Sequence, residues 1–466
     1  MVVNTSAVLA RVDADFSATV DRLKQLVRIP SCSFPGFDHT HIDRSVADTA
    51  AWLRDAGWPV AEIVRLDGVL PYVVAEDRRA GPDAPTLLLY AHHDVQPPLR
   101  EALWLSPPFE PTERDGRLFG RGAADDKAGV AVHAAAVAAW CAVAGRPPCN
   151  LVAVIEGEEE IGSPHFTQFL TAHRERLKAD AVVIADLANV AIGVPSLTTS
   201  LRGHVTLEVE VRALRSPLHS GMWGGAVPDP VQALCRMLAT LTAPDGSVLV
   251  PGILDNIQTP TAAQRAGAAA APYDPAEFAA LAGMVAGSTG LPQSGAELYE
   301  RLWLRPSLTV TAIQAGERGR TGNVVMDAAW ARIGLRTVPG MDGRRCGALL
   351  ENHLRGLVPP GCTVTITAGG HGSSWSTDTS HPLFACARRA LAAGYGREAV
   401  EIGCGASIPF VQEITAALGG VPALLVGVED PACAAHAENE SVHLGDLRAA
   451  IRAEAALFAE VAAWRR

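Results

Sequence analysis

Apolar residues recur at helical spacing over Val8, Leu9, Val12, Phe16, Val20, Leu23 and Leu26, which predicts an amphipathic opening helix from about residue 6 to 27. Ile29-Pro30-Ser31 ends it, and a second helix is predicted from Val46 to Ala56, stopping near Gly57. The period then shortens. Apolar runs at 61–64, 72–75 and 86–90 read as strands. The last of them, Leu87-Leu88-Leu89-Tyr90, shows no polar alternation, as expected of a strand buried on both faces. Helical patterns at 128–143 and 166–176 alternate with further apolar strands at 151–155 and 181–185. This alternation predicts an α/β unit with a mostly parallel sheet and helices on both faces.

The pattern changes near Arg202-Gly203. Val205, Leu207, Val209 and Val211 alternate with Thr206, Glu208, Glu210 and Arg212, so one face of this strand is apolar and the other polar. Strands at 308–312, 331–336 and 363–367, with helices at 229–241 and 342–357, complete an α+β block, and Asp342 is placed to cap the second helix. The α/β pattern resumes with a helix at 383–393, a strand at 423–427 and a closing helix at 447–464. Residues 203–369 therefore read as a domain inserted into a larger one formed by 1–202 and 370–466. The Ala- and Pro-rich stretch Ala262–Ala286 is expected to be a surface insertion.

A length of 466 residues fits two domains, and 48% hydrophobic content is ample for their cores. A formal net charge of -11 argues against nucleic acid or an anionic membrane surface as partner. With no signal-like N-terminus and no uncharged apolar run of about 18 residues, the expected location is cytoplasmic. The nine cysteines are scattered, without a C-x-x-C pair, which fits reduced thiols better than disulfides or a thiolate zinc site.

The chemistry gathers where the predicted strands end. The strand at 86–90 runs into His92-His93-Asp94, and Gly120-Arg121-Gly122 is followed by Asp125-Asp126-Lys127. The strand at 151–155 ends in Glu156-Gly157-Glu158-Glu159-Glu160, the next at Asp186, and Ala435-His436-Ala437-Glu438-Asn439-Glu440 follows the strand at 423–427. Open α/β sheets keep their sites at such ends. His92 and Asp94 share one side of a strand, so a carboxylate can hold one ring nitrogen while the other binds a metal. Carboxylates mixed with imidazole suit zinc, manganese or cobalt, and one carboxylate can bridge two ions. Such a pair makes hydroxide available at neutral pH, and adjacent Glu159 and Glu160 can divide the remaining work between base and ligand. An isolated His-x-Asp or acidic run is more often structural; five such groups in order after predicted strands point to a two-metal hydrolase. No G-x-S-x-G elbow supports a serine hydrolase.

In motif, order and spacing, His92-x-Asp94, Gly120-Arg121-Gly122-x-x-Asp125-Asp126-Lys127, Glu156-Gly157-x-Glu159-Glu160-x-Gly162-Ser163, Asp186 and Ala435-His436-x-x-Asn439-Glu440 resemble the M20 metallopeptidase family, in its cytosolic dipeptidase/carnosinase branch. The likeness runs from about Leu23 to Trp464. It implies two divalent ions, zinc first with manganese or cobalt as alternatives. His92 and Asp186 would hold one ion, Glu160 and His436 the other, and Asp125 would bridge them. Glu159 would be the general base and Asp94 would orient His92, with a cis peptide between Asp125 and Asp126. The inserted block is similar to a lid and dimerisation domain in which His219, in Leu218-His219-Ser220-Gly221, serves the partner subunit of a homodimer as oxyanion donor. Asn323, Arg336 and Ser407 match substrate-contacting positions, with Arg336 gripping a free C-terminal carboxylate. Cys404 and Ala406 depart from the Glu-Gly-Gly-Ser-Ile-Pro that similar proteins often show. The implied activity is hydrolysis of dipeptides or short peptides. The alternatives are an N-acyl-amino-acid deacylase using the same site, and a non-catalytic binding protein on the same scaffold.

Overall fold

The computed structural model describes residues 5–464 apart from 289, 320 and 321; the ends of the first and last predicted segments, 1–4 and 465–466, lie outside the described residues. Three helices open the first half, α1 (Thr5–Val27), α2 (Thr40–Asp55) and, after the His92 and Asp125 motifs, α3 (Lys127–Ala144). Its strands are β1 (Val60–Val64), β2 (Tyr72–Asp77), β3 (Thr86–His92), the hairpin β4 (Thr112–Arg114) and β5 (Arg117–Phe119), β6 (Asn150–Glu156), β7 (Ala181–Ile184) and β8 (Ser196–Leu201). The middle block contributes β9 (Gly203–Arg212), β10 (Leu218–His219), β11 (Ser307–Gln314), β12 (Val324–Val325), β13 (Ala328–Thr337) and β14 (Thr363–Gly372). The chain then returns through β15 (Trp375–Ser376), β16 (Val400–Cys404), β17 (Ala423–Leu425) and β18 (Ser441–His443) to a last helix, Leu444–Ala463.

The main sheet is mixed and runs β1-β2-β6-β3-β7-β17-β8-β15, with β16 beside β8. Its centre, β6-β3-β7-β17, is parallel, and antiparallel pairs flank it. Alternate residues of the central strands feed two cores. Leu87, Leu89 and Ala91 join α1, α3 and helices Pro382–Tyr395 and Leu444–Ala463 on one face. Leu88, Tyr90, Val152 and Val154 meet Phe166, Phe169 and Phe410 on the other. Helices on both faces remove water from both sides of β3, which is why its sequence lacks alternation. By length and composition α3 could cross a membrane, but 67% of its window is buried within the protein, and a core position accounts for its apolar character.

The middle block forms a separate four-stranded antiparallel sheet in the order β11-β13-β9-β14. Val205, Leu207, Val209 and Val211 pack with Leu335, Ile333 and Ala331 against helices Pro230–Ala239 and Gly343–Arg355. Asp342 caps the second of these through Arg345 N at 2.7 Å, as expected. The opposite face, carrying His204, Thr206, Arg332 and Arg336, has no helix on it among the described residues.

Several expectations shift. Helix α2 starts at Thr40 rather than 46, because Ile42 alone carries the buried face of its otherwise polar first turn. The helix from Phe166 ends at His173 rather than Arg176. Ala262–Ala286 is not all surface. It forms helices Ala262–Ala270 and Pro275–Leu281, and Ala268 and Ala271 are buried with Val190, Trp303 and Ile402. Gly267 lies so close to the Glu401 carbonyl of β16 that any side chain there would collide with it.

Candidate active site

Strand β3 delivers His92, fully buried, to the C-terminal edge of the parallel strands. Its Nδ1 lies 3.1 Å from the Asp94 carbonyl oxygen and 3.4 Å from Asp94 Oδ1. Its Nε2 faces Asp125 Oδ1 at 3.0 Å and Asp186 Oδ1 at 3.6 Å. Asp186 follows β7 by two residues. Strand β6 pairs Glu156 with His92 and then turns through a 3-10 segment, Glu159–Ile161, that presents Glu160. His436 comes from the loop between β17 and β18, where its Nε2 stands 2.9 Å from Asp125 Oδ2 and 3.2 Å from Glu160 Oε2. The two oxygens of Asp125 thus serve two separate trios, each with one imidazole and one further acid. The Asp125–Asp126 peptide is cis.

Each of these groups is held by others. The Asp94 carboxylate accepts from Ser33 Oγ at 2.7 Å and from the backbone N–H groups of Glu159 and Glu160 at 3.2 and 3.0 Å, fixing the turn that carries both glutamates. Gln96 grips Glu160 with its side chain at 2.7 Å and its backbone N–H at 3.0 Å. Glu440 accepts from Arg121 at 2.6 Å and from the backbone of Gly122, Ala124 and Asp125 at 3.0, 2.9 and 3.1 Å. Gly122 has φ +81, and a side chain there would strike Val95. Asp126 caps α3 at Gly129 N and accepts from His92 N, so both its oxygens are engaged by backbone although it too lies within reach of His92 and Asp186. Buried Lys127 donates to the Leu26 and Ile29 carbonyls, tying the end of α1 beneath the site. The His436 loop adopts left-handed φ at Ala434, His436 and Asn439, costly for non-glycine residues. Asn439 offsets that cost by bonding Leu103 O and Leu105 N, and Glu438 by pairing with Arg100.

Acids outnumber cations here, and the titration behaviour follows. Burial pushes the Glu160 carboxyl up to about 7, with Asp125 adding to it. Burial also raises Glu159 well above the usual carboxylate range, and Asp186 less strongly. Burial opposes the low value of Asp125, but hydrogen bonds from His436 and His92 outweigh it. The same bonds from Asp125 and Glu160 lift His436 to about 11. A concentration of anionic oxygens around two imidazoles is the environment that divalent cations of borderline hardness stabilise. The donor set therefore fits two such ions, with His436, its side chain 59% exposed, forming the open wall.

The remaining predicted residues fall into two further groups. Arg336 donates to Ser407 Oγ at 3.0 Å, joining β13 to the loop before Pro409. Exposed His219 pairs with Val324 across β10 and β12, and Ser220 N donates to the Asn323 carbonyl, so His219 and Asn323 are neighbours. Neither bonds to the His92 cluster of its own chain among the described residues. His93 is buried against the Pro71 carbonyl, and burial lowers it to about 4. His381 caps helix Pro382–Tyr395. All nine cysteines are free thiols.

Sequence reasoning gave no role to Gln96 or Glu440, nor to Glu156, whose buried carboxylate takes the hydroxyls of Tyr72 and Tyr90 at 3.0 and 2.7 Å. It also missed Glu429, seven residues before His436 and paired with Ala188, whose carboxyl is raised by burial, then by Asp125 and Asp186. Glu156 and Glu440 stood in recognised motifs; for Gln96 and Glu429 the only sequence signal was a polar residue near an apolar strand.

The family model of peptidase family M20/M25/M40 matches residues 88–460. The chain is 34% identical over 375 residues to the cysteinylglycine-S-conjugate dipeptidase of Corynebacterium striatum, covering 80% of each chain. It is 29% identical over 404 residues to the Beta-Ala-His dipeptidase of Homo sapiens, covering 84% of this chain and 78% of the relative. Among solved structures, human carnosine dipeptidase 1 superposes with a TM-score of 0.83 at 26% identity over 99% of both chains. Dug1p of Saccharomyces cerevisiae shares the fold, with the same score at 23% identity over 99% of both chains. The chain belongs to peptidase family M20/M25/M40, in the branch of the carnosine and Cys-Gly dipeptidases.

Proposed function

We propose that this protein hydrolyses the amide bond of dipeptides or short peptides that end in a free carboxylate, at a site for two divalent ions, zinc first and manganese or cobalt as alternatives. The observation that carries this reading is the Asp125 carboxylate, one oxygen 3.0 Å from His92 Nε2 and the other 2.9 Å from His436 Nε2. His92, Asp125 and Asp186 would hold one ion, and Asp125, Glu160 and His436 the other. Bound there, the ions would polarise the scissile carbonyl and lower the pKa of a water.

The chain's own groups do the rest. Glu159, half-buried beside Glu160, accepts the attacking water's proton and returns it to the leaving amine. Asp94 keeps His92 and the Glu159-Glu160 turn in place. Arg336, steadied by Ser407, pairs with the substrate's terminal carboxylate. His219 acts in trans, in a homodimer, with Asn323 beside it. Gly221 N donates to His219 Nδ1, which leaves the proton on Nε2 free to meet an oxyanion. Residues 203–369 act as the lid and dimerisation domain over a catalytic domain of 1–202 and 370–466. A reducing, cytoplasmic setting suits the nine free thiols.

The test is turnover by metal-loaded protein on a dipeptide panel, begun with Cys-Gly and β-Ala-His, beside the matching N-acetyl amino acids. Dipeptide cleavage is the expected outcome. Selective cleavage of the N-acetyl compounds would replace this reading with a deacylase, and no turnover of either would leave a binding protein.

A further inference from the structure

The uncovered face of the four-stranded sheet carries two arginines, Arg332 and Arg336, that no ion pair engages among the described residues. Arg336 lies opposite His204 in the β13–β9 register, and His204 lies opposite Gly372, next to His371. Arg202, the residue before β9, is 8% exposed and spends its donors on neutral acceptors, the Gly405 carbonyl at 3.0 Å and Ser307 Oγ at 3.1 Å. Four residues before Arg336 on β13 stands Arg332; Glu208 faces it in register, yet no ion pair joins them among the described residues. The surroundings register this imbalance. Burial and then Arg336 lower Arg202 to about 10, and burial, Arg336 and His371 lower His204.

These groups line a cavity of about 510 Å³ bounded by His204, Thr206, Thr309, Thr311, Arg332 and Arg336. Its polar lining is made of two arginines, an imidazole and hydroxyls, and Gly334 at its floor leaves room above the sheet. One carboxylate at Arg336 would use only part of this potential. Arg332 is on the same face, one strand repeat of two residues beyond Gly334, so a second anion would sit further into the cavity.

We propose that the cavity reads the side chain of the substrate's C-terminal residue and selects an acidic one, aspartate or glutamate, with the α-carboxylate at Arg336 and Ser407 and the side-chain carboxylate among His204, the threonines and Arg332. This rests on the proposed peptidase reading for the direction in which the substrate lies. The positive face also repels a C-terminal lysine or arginine.

The experiment compares kcat/KM of the metal-loaded full-length enzyme for Ala-Glu, its isostere Ala-Gln, and Ala-Lys at constant ionic strength. Ala-Glu should exceed Ala-Gln by about tenfold, with Ala-Lys poorest. Arg332→Gln should collapse the Glu/Gln ratio, and Arg332→Lys should keep most of it. A ratio of one or below in the wild type overturns the proposal. Calorimetric binding of free glutamate against glutamine gives a readout independent of turnover: about fivefold tighter glutamate supports the cavity's role, and equal binding overturns it. If no peptide is cleaved while glutamate is still preferred, the peptidase reading fails and the acid-selective cavity stands.

Discussion

The His92 cluster and the groups around His219 and Arg336 in the middle block differ in how far the single chain specifies them. His92 and Asp94 are fully buried, Asp94 and Glu160 each accept two or more hydrogen bonds from neighbouring strands and loops, and Asp125 N donates to Glu440. Among the described residues Arg336 has one side-chain bond, to Ser407, and His219 one, from the second residue of the short helix that follows it. The first region is preorganised within the single chain; the second holds exposed groups that, under the proposed function, gain partners when substrate and the second subunit close on them. Hydrolysis of an unactivated amide needs both, since the charge that develops must meet donors that do not have to reorganise.

The largest effect that would sharpen this contrast comes from the preorganised side. Glu159→Gln should lower kcat by about 10³-fold with metal content unchanged, because it removes the proton acceptor and keeps the shape. Unchanged turnover would remove Glu159 from the chemistry. Next comes the exposed side: His219→Ala should cost about 10²-fold in kcat with an unaltered melting temperature. Mixing that variant with Glu159→Gln and allowing subunits to exchange should restore about a quarter of wild-type activity, since half the dimers then carry one complete site. No recovery would place His219 in its own chain's site and break the contrast.

Smaller effects probe what lies behind the cluster. Glu440→Gln should weaken metal affinity by about 10- to 100-fold in a chelator competition, because three backbone N–H groups of the Asp125 loop lose their anionic acceptor. The gentlest test is of the core beneath β3. Buried His133 places Nδ1 2.9 Å from Glu454 and Nε2 3.1 Å from the Tyr90 carbonyl, so both ring nitrogens face acceptors, an arrangement that favours the charged ring. Burial opposes that charge, but Glu454 outweighs it and raises the His133 pKa above 6.5. A raised folded-state pKa stabilises fully below about 6.5 and the gain is lost as pH rises through the folded value. Relative to His133→Gln, the wild type should be more stable by about 3 kcal/mol at pH 6 and the gap should close toward alkaline pH. A gap independent of pH would show a neutral ring.

The same contrast explains what the sequence made legible. Strand β3 and its His92-x-Asp94 ending were readable because burial on both faces leaves an uninterrupted apolar run, and a period of two sets both side chains on one side. Strand β9 was readable from the opposite signature, strict alternation. Strand β8, Ser196–Leu201, was not, because Ser and Thr occupy buried positions where side-chain hydroxyls find acceptors, as Thr199 does at the Ile402 carbonyl. Ala262–Ala286 looked like filler, yet small residues are what let Gly267 and Ala268 approach β16. The roles of Gln96 and Glu440 were hidden because their partners lie 64 and more than 300 residues away along the chain. Pairing at that range is written in topology, not in local pattern.

The claim at the centre of this account is that Asp125 bridges two divalent ions that turnover requires. Elemental analysis of the purified chain, paired with dipeptide hydrolysis before and after chelation, tests it most directly. About two ions per chain, with activity lost on chelation and restored by zinc or manganese, is the predicted result. Protein that binds no ions from excess metal, or that keeps full activity once stripped of them, would contradict it.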